Sequence, residues 1–319
     1  MSNTNSHNDK LVWYQQLALE VLWAVCSFIG YMPRWFQYKV VGSLVYLLLR
    51  VVRYRSGVIR TNLEQSFPEK DEHEIERIVK ATYRNLAEVI VDTIALAGAT
   101  KRGDLHHVTW VNRDEHIERT KGRDWIAMAS HYSCWEYFLL WSIEAPDSQL
   151  MGVYHPLKSP VFEHFYRRLR NFAPNISQVT MQDTVRHYIR NRSTERNIVL
   201  GLISDQTPNL RADTEWIEFL NRKTAFIEGG EKLGRRFHIP LYFAYIERLG
   251  PGHISIRLDE IYDGYEEVED MEITRRYAEH LERMIKAKPE LWMWSHKRWK
   301  HSPEKQARRF GKMTKSGEE

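Results

Sequence analysis

From about residue 108 onward, short apolar runs alternate with longer amphipathic segments, and this alternation constrains the fold more than any other feature. A run of four to eight apolar residues bounded by polar ones reads as a buried strand. Strands spaced by helices assemble into a mostly parallel sheet. The predicted strands are Trp125–Ser130, Leu150–Tyr154, Ile198–Ser204, Leu241–Ile246 and Ile254–Leu258. The predicted helices are Cys134–Ile143, Pro160–Asn171, Thr184–Arg190, Ile227–Phe237 and Ile273–Lys286. Ahead of them, residues 71–98 place Ile75, Ile78, Val79, Leu86, Val89 and Ile90 near helical spacing, with Gly98 as the stop. The expected fold class is α/β, a central mostly parallel sheet flanked by helices. A 43% hydrophobic fraction supplies its core and argues against wholesale disorder. No repeat and no low-complexity linker interrupts it.

The N-terminal part is different. Residues 1–10 are polar. Leu11–Met32 is largely apolar but carries Gln15, Gln16 and Glu20, and a second apolar run covers Val40–Val52. A spanning helix needs about 20 mainly apolar residues, whereas Leu17–Met32 offers 16 with a glutamate inside. The expectation is membrane-associated helices lying in the interface, or one marginal anchor; two buried core helices are the competing reading. A cleaved signal peptide is disfavoured by the weakly charged start and the lack of a small-x-small site. The organisation expected is residues 1–60 as tail and membrane-associated helices, 61–301 as the α/β domain, and 302–319 as a polar, basic, mobile tail.

Charge excludes little by itself. The net value is +4, which does not indicate nucleic acid. The positives are local: Arg50, Arg53, Arg55 and Arg60; Arg167, Arg168 and Arg170; and Lys297, Arg298 and Lys300 among Trp294 and Trp299. Such clusters suit an anionic lipid surface or are simply solvated. Two cysteines, Cys26 and Cys134, cannot build a disulfide framework or a C-x-x-C metal site. His106-His107 lacks a third ligand at metal spacing. There is no H-E-x-x-H, P-loop, G-x-G-x-x-G or G-x-S-x-G, so no metal, nucleotide or haem cofactor is indicated and a common serine hydrolase is disfavoured.

Chemistry concentrates where predicted strands end. Trp125-Ile-Ala-Met-Ala-Ser-His131 runs a buried strand straight into a histidine, and ligands of open α/β sheets collect at carboxyl ends of strands. Glu136 falls in the first turn of the following helix, positioned to return a carboxylate to the imidazole. That would fix the tautomer and free the other ring nitrogen to accept a proton from a hydroxyl. Asn197–Pro208 repeats the pattern, ending in Asp205 and Gln206, and Gly152-Val-Tyr154-His155-Pro156 is a third polar end. A lone histidine after a strand is more often structural than catalytic, Asp205 could cap a turn, and Cys134 could be a nucleophile or a small buried hydrophobe.

These residues resemble a family. His131-Tyr-Ser-Cys-Trp-Glu136 is similar to the H-x4-D/E motif of glycerolipid and lipid A acyltransferases. Other blocks narrow the resemblance to the late lauroyl/myristoyl transferases of lipid A biosynthesis. They are Arg60-Thr-Asn-Leu-Glu-Gln-Ser-Phe-Pro68, Tyr154-His-Pro156, Asp205-Gln206, Phe219–Phe226, and Pro289–Lys300 as P-x-x-W-x-W-x-H-x-R-x-K. The ordered set covers nearly the whole chain. It implies a glycerolipid acyltransferase-like fold. It implies transfer of a fatty acyl chain from acyl carrier protein, or acyl-CoA, to a hydroxyl of an acylated glycolipid at the cytoplasmic face of a bacterial inner membrane. His131 would be the general base and Glu136 its orienting carboxylate. Arg170, or alternatively Arg168, would sit near a thioester or phosphate, with Asp205, Gln206 and Tyr154 at the substrate. The stretch Arg168-Leu-Arg-Asn departs from the usual form there, and Cys134 stands where Asn or a small residue is common. An aminolipid or lysophospholipid acceptor, and a non-catalytic membrane-binding protein, are the alternatives.

Overall fold

The computed structural model describes residues 11–102, 108–192 and 196–311; His106 and His107 lie outside the described residues, as do residues 1–10 and those from 312 on. Four helices come first: α1 (Trp13–Tyr31), α2 (Gly42–Val51), α3 (Ser56–Ser66) and the long α4 (Glu72–Arg102), with a π-helical stretch Phe36–Val41 before α2. Then follow β1 (Val108–Trp110), α5 (Arg113–Arg119) and β2 (Trp125–Ala129). A 3-10 helix, Trp135–Leu140, leads into the short α6 (Trp141–Glu144). Next are β3 (Gln149–Tyr154), α7 (Pro160–Arg170), β4 (Ile176–Thr180), α8 (Thr184–Asn191) and β5 (Ile198–Ile203). The hairpin β6 (Ile217–Phe219) and β7 (Arg222–Thr224), then α9 (Gly229–Phe237), β8 (Leu241–Gly250), β9 (His253–Tyr262), α10 (Glu272–Ala287) and α11 (Pro303–Phe310) complete the chain.

Seven strands form one sheet in the order β1-β9-β8-β2-β5-β3-β4, parallel throughout except for the β8/β9 hairpin. The α/β class and the mostly parallel sheet flanked by helices are therefore as the alternation predicts. Successive residues on each strand serve opposite cores. Ile126, Met128, Leu200 and Leu202 pack with Leu233 of α9 and Ile273 and Leu281 of α10. Trp125, Ala127 and Val199 pack with Phe138, with Phe165 and Leu169 of α7, and with Leu19 and Trp23 of α1. Helix α9 lies so close to the sheet that a Cβ at Gly230 would meet the Met128 sulfur at 2.4 Å, so any other residue there would require the Met128 side chain or α9 to shift.

Several boundaries differ from expectation. Helix α4 runs through Gly98 to Arg102; a mid-helix glycine costs only about 1 kcal/mol, less than tertiary packing supplies. The segment Cys134–Ile143 opens as a 3-10 helix, not an α-helix. Strand β4, with the sequence I-S-Q-V-T at the sheet edge, lacks the apolar run that marks the central strands. The break placed after residue 60 falls inside α3. Among the described residues no helix is long and apolar enough to cross a membrane, which corrects the marginal-anchor option. Glu20, Gln15 and Gln16 keep α1 below the spanning threshold. Within the stretch expected to be a tail, Pro303–Phe310 forms α11. Ser302 caps α11 by accepting from the Lys305 amide (3.4 Å), and the Gln306 amide donates to the carbonyls of Arg211 (3.0 Å), Ala212 (2.9 Å) and Thr214 (2.9 Å). Polar docking of this kind leaves no apolar periodicity to read.

Candidate active site

Strands β2 and β5 are hydrogen-bonded neighbours, with Ala129 opposite Ile203. The residues just past their carboxyl ends are therefore brought together, and the Ser204 amide donates to the Ala129 carbonyl (3.2 Å). His131 and Asp205 meet there. Asp205 Oδ1 lies 2.7 Å from His131 Nδ1, and Oδ2 accepts from the His131 backbone amide (2.9 Å) and from Trp292 Nε1 (2.8 Å). Burial alone would raise the Asp205 carboxyl. The His131 charge opposes it, aided by hydrogen bonds from the His131 ring, Trp292 Nε1 and the His131 amide, and the net result lies below the ordinary value. A carboxylate on Nδ1 selects the Nδ1–H tautomer, so Nε2 carries the lone pair. Nε2 lies 3.2 Å from the Gln206 amide nitrogen, and the Trp135 ring stands edge-on to the imidazole at 4.8 Å.

Glu136 is placed differently from expectation. It does not return to the imidazole; the carboxylate on His131 is that of Asp205. On the 3-10 helix the buried Glu136 faces α7, where it accepts from both Nε (2.9 Å) and Nη2 (2.5 Å) of Arg170. A buried carboxylate requires a counter-charge, and the half-buried guanidinium of Arg170 supplies it. Burial would lower the Arg170 pKa, but the Glu136 charge and hydrogen bonds carry it above the ordinary value. Arg168, the alternative to Arg170, instead binds Glu20 of α1 (3.0 Å) and lies 4.2 Å over the Trp23 ring. Tyr154 donates to Glu163 (2.9 Å) at the cavity wall. Cys134 is fully buried, and burial pushes its thiol well above the ordinary value. A thiol so placed is inert.

His131 lines a cavity of about 1050 Å³ that straddles the carboxyl edge of the sheet. One lobe lies on the α7 face, bounded by Phe138, Leu139, Leu150, Gly152, Gly201 and Ile203. Gly152 and Gly201 are opposed across β3 and β5. The positions their Cβ atoms would take are 3.7 Å from Leu139 and Phe138, ordinary contact distance, so side chains of the 3-10 helix stand directly over these two glycines. The other lobe lies on the α9 face, bounded by Val153, Leu202, Phe226 and Leu233, with exposed Met181 and Val185 at or just before α8 also lining the cavity. Arg167, Arg170, Arg211, Lys232, Arg236 and Lys300 add cations to the wall.

Sequence reasoning missed the groups that close the site from behind. Residues 289–300 lie across it: the Met293 amide donates to the His131 carbonyl (3.1 Å) and the Ser133 amide to the Leu291 carbonyl (2.8 Å). Buried Asn62 of α3 donates to the carbonyls of Trp294 and His296, both at 2.9 Å, and Asn85 of α4 to that of Leu291 (3.0 Å). His296 reaches the cavity, with Nε2 near the Thr207 amide (3.4 Å) and hydroxyl (3.2 Å). Burial, with smaller contributions from Arg298, His131 and Lys300, holds its pKa at about 4 against the opposing pull of Asp205, so it is neutral at pH 7. The recurrent Trp and His of this stretch were visible in the sequence, but nothing in the sequence tied them to His131.

The chain matches a family model described as bacterial lipid A biosynthesis acyltransferase over residues 7–301. No curated protein matches it. Nearly the whole chain is covered, and it carries a histidine–carboxylate pair on a large apolar cavity; the protein thus belongs to the bacterial lipid A biosynthesis acyltransferase family and is an O-acyltransferase.

Proposed function

We propose that the protein moves a fatty acyl chain from a thioester, carried by acyl carrier protein or coenzyme A, to a hydroxyl of a lipid A-type acylated glycolipid, with His131 as general base. The observation that carries this reading is the His131–Asp205 pair at the edge of a cavity with two apolar lobes. The acceptor hydroxyl displaces Gln206 from His131 Nε2 and gives up its proton there as its oxygen attacks the thioester carbonyl. Collapse of the tetrahedral intermediate breaks the C–S bond, and the same proton passes to the departing thiolate. The products are an ester and a free thiol, with no acyl-enzyme required. Asp205 holds the imidazole in the competent tautomer and offsets the charge it gains. The displaced Gln206 amide is a donor within reach of the oxyanion.

The same reading places the protein at the cytoplasmic face of a bacterial inner membrane. Its support is an apolar face on the N-terminal helices, where Trp13, Leu17 and Phe28 of α1 and Leu44, Leu47 and Leu48 of α2 are exposed. Arg50, Arg53 and Arg55 follow directly. An apolar face with a basic margin suits an interfacial helix on anionic lipid. Turnover of acyl carrier protein thioesters by His131→Ala, with vesicle co-sedimentation as the control, tests the assignment. Transfer is expected to fall about 10²–10⁴-fold with vesicle binding intact. Near wild-type turnover would exclude His131 as the base.

A further inference from the structure

The two lobes of the cavity are lined from opposite faces of the sheet, and their surroundings differ. The α7 lobe adjoins α1, which packs on α7 and carries the apolar N-terminal face. The α9 lobe adjoins a separate, smaller patch. Met181, just before α8, and Val185 and Ile189, one turn apart on it, are 47%, 39% and 46% exposed. Met181 and Val185 also line the cavity, so this patch is the rim of its mouth.

Arginines frame the patch. Arg190 and Arg192 at the end of α8 and Arg236 on α9 form no ion pair with a carboxylate among the described residues. Exposed Arg186 is only 3.4 Å from Asp183 at its nearest approach, and Lys232 pairs with Glu228. The other acid of α9, Glu231, is buried and accepts from the amides of Met271 (2.7 Å) and Thr274 (2.9 Å). The face presented to solvent is a few apolar side chains in a basic frame, and Met181, Val185 and Arg236 of it line the same cavity as His131.

From this we infer that the α8–α9 face docks an acidic carrier domain, which feeds its acyl thioester through the adjoining mouth, while the lipid acceptor enters from the α7 lobe beside α1. The inference rests on the acyl-transfer reading above and adds the partner's landing site. A short acidic helix with apolar residues between its carboxylates is the complement of this patch. Arg236 at the mouth suits the phosphodiester of a phosphopantetheine arm. A carrier that must leave after each turnover needs a small patch steered by charge, not a broad apolar interface. A membrane would be served better by the larger apolar face of α1 and α2, whose α1 part packs on the α7 side of the sheet.

The test compares two donors, the acyl carrier protein thioester and the same acyl group on free pantetheine, in wild type and in Arg186→Glu/Arg190→Glu. Both residues are exposed and outside the reacting groups. For the variant, kcat/KM with the carrier-borne donor is expected to fall about tenfold or more and to lose its salt dependence, while the pantetheine donor stays within about twofold. An Ile189→Asp variant with the same split supports the same surface through its apolar part. Equal losses with both donors, or no loss with either, overturn the docking assignment. Loss of binding to anionic vesicles together with equal donor losses would make this face a membrane contact instead. Wild type that turns over neither donor defeats the acyl-transfer reading itself, and the docking assignment with it.

Discussion

Asp205 acts on His131 in two ways, fixing the ring through Nδ1 and fixing the backbone through the His131 amide. Loss of its charge should cost more than loss of its shape. Asp205→Asn keeps the volume but can present an amide donor to Nδ1, which selects the wrong tautomer. Its kcat is expected to fall about 10²–10⁴-fold with little change in KM, measured by release of the carrier thiol. A variant within about threefold of wild type would remove Asp205 from the mechanism. Both partners were legible as polar residues ending apolar runs. Their pairing was not. The spacing of His131 and Glu136 suggests a local partner, whereas the true partner is set by β5 lying beside β2, and strand order is not written in local sequence. Glu136 turns to α7 because half-buried Arg170 meets it there.

At the scale of elements, the site is a sheet edge closed by a strap. Residues 289–300 meet His131 from behind and are held by Asn62 and Asn85 on α3 and α4. The hairpin of β6 and β7 adds support: its turn residues Leu220 and Asn221 both have positive φ, as a two-residue turn of the primed type demands, and Asn221 donates to the Ser66 carbonyl (3.1 Å). Asn62→Ala leaves two carbonyls at buried positions without this donor. It is expected to cost about 2–3 kcal/mol in chemical denaturation and to lower turnover as the strap loosens. Full activity with unchanged stability would show that the strap holds without it. The central strands could be read from their composition because both faces are buried. Strand β4 and α11 could not, since polar contacts and edge position leave no periodic signal, and Cys134–Ile143 was legible as helical but not as 3-10.

For the molecule as a whole, buried histidines make acid the expected weakness. His116 packs against the rings of Trp125 and Tyr242, both at 4.4 Å, and Trp141 at 5.3 Å. Burial, then Arg119, holds its pKa at about 4, against an ordinary 6.5. The unfolded chain binds this proton more readily than the folded one. The corresponding stability is complete above pH 6.5 and is lost as pH falls toward 4. A shift of this size corresponds to roughly 3 kcal/mol, and His296 adds to it in the same window. Denaturation midpoints should therefore drop between pH 7.5 and 4.5, and His116→Phe should flatten that slope; an unchanged slope would exclude His116 as a source. The strap has a further consequence, in time. Trp292 and Met293 are translated after His131, Asp205, Gln206 and all seven strands. While the chain is still being made, Asp205 lacks its indole donor and the His131 carbonyl lacks its amide. The nascent protein can thus complete its sheet before its catalytic pair is fully held, and a truncation just short of Trp292 would keep the strands while leaving that pair incompletely braced.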